Sequence, residues 1–156
     1  MWRNPNNEDR NNRLAEKVRL ANAVTLELMS EIVAAACARL SSLNKGGKAA
    51  MHFARLLESS AWTEASLALV ALELPGWTLR RLVYDGDEWH CSLSKQPNLP
   101  IEIDDSIDAR HATLPLAILA AFLEARDSKI SHQVKARSLP QVRPAPAYVV
   151  CCDNFA

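Results

Sequence analysis

The chain has 156 residues, 49% of them apolar, and equal numbers of basic and acidic side chains, 18 of each. That length suits one domain with a real core, and the apolar share excludes global disorder. Zero net charge argues against a protein whose main work is holding phosphates, because neutralising a nucleic-acid backbone calls for a basic excess.

No apolar stretch approaches the roughly 20 residues needed to span a bilayer; the best candidates, Leu67–Leu72 and Leu114–Leu123, are too short. The polar, Asn-rich start (MWRNPNNEDRNN) lacks the apolar centre of a signal peptide. A cytoplasmic protein without a membrane partner is expected. Of the four cysteines, Cys37, Cys91, Cys151 and Cys152, no two have the C-x-x-C spacing of a zinc or redox site. They read as reduced thiols.

In chain order, residues 1–12 read as a flexible leader, residues 13–130 as a single α+β domain, and residues 131–156 as a basic, proline-containing tail. From Leu14 to Leu40 the apolar positions Leu14, Val18, Ala21, Val24, Leu28, Ile32 and Ala35 recur at helical spacing, so one long helix is expected, stopped by Asn44, Gly46 and Gly47. At about thirty residues it is long against a usual dozen. Its first half is expected to overhang the domain or pair with another chain. Two short helices follow, Lys48–Ser59 and Ala61–Leu74. The second is almost wholly apolar apart from Glu64 and Glu73, and Pro75-Gly76 ends it.

A β-hairpin is expected over Trp77–Lys95. Asp85-Gly86 supplies the turn, and Trp89, Cys91 and Leu93 alternate with Glu88, His90, Ser92 and Ser94. The odd positions Trp77, Leu79, Val83, Trp89, Cys91 and Leu93 are expected in the core. Arg80, Tyr84, His90 and Ser92 are expected outside, and Arg81-Leu82 breaks the pattern, as at a bulge. Residues 96–110 are open between a third edge strand and an acidic loop. A final helix is expected over 113–129. Helices, then hairpin, then helix give an α+β fold: a helical N-terminal half, an antiparallel hairpin packed against helices, and a C-terminal helix.

The chemistry-bearing patterns are sparse. His90 and Cys91 are neighbours on a strand, so they point to opposite faces and cannot act as a nucleophile pair. His90, His111, Asp104, Asp105 and Asp108 have no recognised ligand spacing, and the acidic run lacks the glycine and closing glutamate of a calcium loop. No metal or cofactor is expected. Four glycines leave no phosphate-cradling loop, and there is no G-x-S-x-G. A helix-turn-helix reading of residues 48–74 fails because the second helix offers leucines and glutamates where base edges call for polar and basic groups. Charge is uneven: seven acids and one base lie between Asp85 and Asp108, five bases and one acid between Arg126 and Arg143. Two solvated surfaces account for this more simply than a docking site does.

The segments LELPGW (72–77), EWHCSLSKQ (88–96) and ATLPLAILAAFLEAR (112–126) resemble small hypothetical proteins of alphaproteobacteria, and phage-associated helix–hairpin–helix domains. The resemblance covers about residues 62–126, rests on packing residues and implies a bacterial source. It implies no known activity and no functional residues.

Three functions are therefore weighed. The first is a non-catalytic interaction or regulatory module that self-associates through the long helix, with Leu14, Val18, Val24 and Leu28 as its contact row and a protein partner or a second copy as its occupant. The second is a ligand-binding protein or enzyme with a pocket between the outer hairpin face and residues 97–111, lined by Arg80, Arg81, Tyr84, His90 and His111. The third, nucleic-acid binding through the basic tail, is the least favoured.

Overall fold

The computed structural model describes residues 5–42 and 47–136. Among them run α1 (Pro5–Leu20), α2 (Leu26–Ala36), α3 (Ala38–Ser42), α4 (Lys48–Glu58), α5 (Trp62–Glu73), β1 (Thr78–Asp85), β2 (Glu88–Ser94), a 3-10 turn (Ile101–Ile103), β3 (Ile107–His111) and α6 (Leu114–Ala136). The strands form one antiparallel sheet in the order β1-β2-β3. This is the expected α+β fold, and residues 96–110 resolve into a turn followed by the start of a third, edge strand.

Several expected boundaries move. Helix α1 starts at Pro5, within the expected leader, and α6 continues past 129 to Ala136. The rest of the tail, with Pro140, Pro144, Pro146, Cys151 and Cys152, lies outside the described residues, as do the stop signals Asn44 and Gly46.

The largest departure is the long helix, which is three helices. Thr25 caps α2, its hydroxyl accepting from the Leu28 N–H at 3.2 Å, and a good N-cap favours a new helix start over continuation. Across the bend the Lys17 ammonium meets the Glu31 carboxylate at 2.7 Å. The chain turns again at Cys37. There the Glu73 carboxylate, at the end of α5, accepts from the backbone N–H groups of Arg39 (3.1 Å) and Leu40 (2.5 Å). These are first-turn donors that α3 cannot satisfy internally.

Folding back brings α1 alongside α6, which also packs against α5, β2 and β3. Helix α6 is therefore the middle layer. Leu116, Ala117, Ile118, Leu119, Ala121 and Phe122 are all fully buried, because a helix covered on several sides can carry no polar stripe there.

Two turns set the sheet. Leu74-Pro75-Gly76-Trp77 closes with Trp77 N–H donating to Leu74 O at 3.0 Å. Proline supplies the fixed φ of that turn, and Gly76 its positive φ of 87°. In the hairpin Asp85 pairs with Glu88, leaving a two-residue loop of Gly86 and Asp87, both at positive φ. That is the turn whose twist matches the strands it joins.

Candidate functional site

The sheet carries one irregularity that decides which side chains face where. Leu79 pairs with Leu93 but Arg81 pairs with Ser92, so Arg80 is an extra residue in β1. The bulge re-phases the strand. Leu79 lies on the core side before it; after it Leu82 and Tyr84 take that side, opposite Cys91 and Trp89, while Arg81 and Val83 face outward opposite Ser92 and His90. Val83, expected in the core, is thus on the outer face. Tyr84, expected outside, is on the core side, its ring 5.2 Å from that of Trp89.

Arg80 turns its guanidinium onto the connection between β2 and β3. It is ion-paired with Asp104, whose side chain is only 2% exposed, and donates to Leu99 O at 2.7 Å. Ser94 donates to the other Asp104 oxygen at 2.9 Å and accepts from Gln96 N–H. The connection is therefore strapped across one end of the sheet. Beyond the strap, Arg80, Arg81, His90, Ser92, Asp108 and Arg110 line an outward hollow of about 300 Å³.

Of the five expected surface residues, the structure brings together Arg80, Arg81 and His90. Tyr84 and His111 do not join them. His111 pairs with Trp89 on the core side and is buried, and its Nδ1 accepts from Thr113 N–H at 3.1 Å at the start of α6. It is a structural histidine. Arg110, not expected at a site, and Asp108, weighed only as a metal ligand, do face the hollow. Their signal was the alternation of Ile107, Ala109 and His111 with Asp108 and Arg110, hidden inside a stretch left open between strand and loop.

The row Leu14, Val18, Val24 and Leu28 is buried within the chain. The bend at 21–25 turns these residues into the chain's own core, so they offer no surface to a second copy. This corrects their expected role.

Neither buried thiol is a nucleophile. Burial, helped by the nearby Glu73 charge, pushes Cys37 up to about 12, and burial with Asp108 pushes Cys91 to about 11. The thiolate is the reactive form. A thiol-directed alkylating reagent at neutral pH should therefore leave Cys37 and Cys91 unmodified in the folded protein and label both in denaturant, read by peptide mass mapping. Labelling of either within minutes under native conditions would show that the site opens. Among the described residues no three His, Cys, Asp or Glu side chains converge to hold a metal ion. No described helix is long and apolar enough to cross a membrane.

The far side of β1 is unpaired among the described residues. Helix α6 packs against β2 and β3, while the main contacts of β1 are with β2 alone. Its core-side residues Leu79 and Tyr84 are accordingly 40% and 54% exposed. The fold is thus an α+β domain whose sheet is wider than the helix covering it. No family model, curated protein or solved structure matches the chain.

Proposed function

We propose that the chain is a non-catalytic protein-interaction module that pairs with a second copy of itself through the free edge of β1. The observation that carries this reading is the uncovered edge strand, with Leu79 and Tyr84 exposed on the side where a core residue belongs. An unpaired edge presents a row of backbone donors and acceptors to another strand, and the bulge at Arg80 blunts only one end of it. The remaining five residues, Arg81 to Asp85, are regular and free of proline and lysine.

The register follows from the side chains. In an antiparallel pair of two β1 strands, a two-fold axis at Val83 sets Leu82 opposite Tyr84 of the other copy and Arg81 opposite its Asp85. The two members of each pair then share a face, as cross-strand neighbours must, Leu82 and Tyr84 on the core side and Arg81 and Asp85 on the outer one. Aromatic–aliphatic and opposite-charge pairs each favour association by roughly 0.2–1 kcal/mol, and symmetry doubles each of them. The groups that carry chemistry elsewhere are occupied: Arg80 by Asp104, His111 by Thr113, and the two thiols by burial. A cytoplasmic setting suits Cys37 and Cys91, which are both free thiols.

Light scattering over a range of protein concentrations tests the reading. The native chain should pass from monomer to dimer. Asp85→Arg, which sets two arginines opposite each other, should hold it monomeric, and the exchange Arg81→Asp with Asp85→Arg should restore the dimer. A native chain that stays monomeric at high micromolar concentration, or a dimer untouched by Asp85→Arg, overturns it.

A further inference from the structure

A second hollow, of about 530 Å³, opens at the strapped end of the sheet, between the strap and α6, with Trp77, Lys95, Ile103, Asp105, Ile107 and Ser128 among its walls. Small-molecule sites have volumes of roughly 300–1,000 Å³ and combine apolar walls with a few placed polar groups. This hollow has that make-up. Trp77, only 7% exposed, forms one wall, with Ile107 half-buried beside it, and Ile103 stands 66% exposed at the rim.

Two of its charged groups, Lys95 and Asp105, have no ion-pair partner among the described residues, whereas Asp104 beside them is neutralised by Arg80. The Lys95 ammonium lies 4.9 Å above the centre of the Trp77 ring, where the ring face attracts a cation. The indole N–H of Trp77 is buried with no hydrogen-bond partner, although a buried tryptophan usually finds one.

A free cation, a free carboxylate and an aromatic wall therefore line one hollow. We infer that it binds a small zwitterion of the α-amino-acid type with an apolar side chain. The ligand carboxylate is held by Lys95, its ammonium group by Asp105, and its side chain rests on Trp77 and Ile107. None of the residues lining the hollow belongs to the Arg81–Asp85 segment, so the site stands independently of self-association.

The test is a nitrogen-15 NMR titration of the full chain that follows the Trp77 indole N–H. Leucine and phenylalanine are the probes, with their N-acetyl and amide derivatives as controls. Either free amino acid should shift that resonance saturably by millimolar concentration. The N-acetyl form, lacking the ammonium, and the amide, lacking the carboxylate, should each bind about tenfold more weakly, the usual effect of losing one charged hydrogen bond. Lys95→Met and Asp105→Asn change exposed side chains and should each cost a similar factor. Asp85→Arg should leave binding unchanged. The inference is overturned if no probe gives a saturable shift. It is equally overturned if the derivatives bind as well as the zwitterions, or if neither substitution at Lys95 or Asp105 weakens binding.

Discussion

Replacing Arg80 by Met should cost about 3–5 kcal/mol of folding stability, the range found when one partner of a buried ion pair is removed. The size follows from what is left behind. The Asp104 carboxylate, 2% exposed, keeps only the Ser94 hydroxyl as a partner, and Leu99 O loses the guanidinium that now donates to it. Asp104→Asn alone should cost less, because Arg80 is 17% exposed and gains water more readily. The double variant Arg80→Met with Asp104→Asn should recover a large part of the loss, since neither charge is then stranded. Urea unfolding of all four proteins completes the cycle. A result additive to within about 0.5 kcal/mol would mean that the pair does not hold the strap.

This pair also marks where the sequence stopped being legible. The hairpin, its turn at Asp85-Gly86 and the buried final helix were readable because each rests on local pattern: alternation, a positive-φ glycine, an apolar run. The break at Arg81-Leu82 was visible too, but not which residue was the extra one. An extra residue anywhere between Leu79 and Leu82 exchanges the faces of Val83 and Tyr84, and only the pairing with β2 shows that one is there. Arg80 read as a surface residue because its partner lies 24 positions away.

The long helix failed for the same reason. Apolar spacing ran unbroken through residues 21–25 because Ala21 and Val24 stay in or against the core after the bend. The devices that start new helices after the bends are a threonine cap, a recognisable residue in an unsuspected place, and Glu73, whose bonds span 33 and 34 positions. Long-range polar contacts leave no periodic trace. The site inherited both errors: the residues expected to join two copies became core, and the strand that remained available had Val83 and Tyr84 assigned to the wrong faces.

That the sheet is held from one side only gives the second large effect. Phe122→Ala should destabilise the chain by about 3–5 kcal/mol, the usual cost of emptying a large aromatic position in a core that cannot collapse. Phe122 is fully buried in α6, and α6 packs against the sheet on one side and α1 and α5 on the other. A cavity there is therefore shared by both layers, and neither can close it without moving from the other. Against a total stability of about 5–15 kcal/mol for a domain of ordinary size, the variant should unfold at a much lower urea concentration in one cooperative transition. Leu26→Ala, a leucine left 57% exposed on α2, should change stability by no more than about 0.5 kcal/mol. If Phe122→Ala instead released the strands while the helices stayed folded, seen as early loss of hydrogen-exchange protection in β1–β3 alone, α6 would not be the layer that joins them. The β1 edge would then be presented by a sheet able to move independently of the helices.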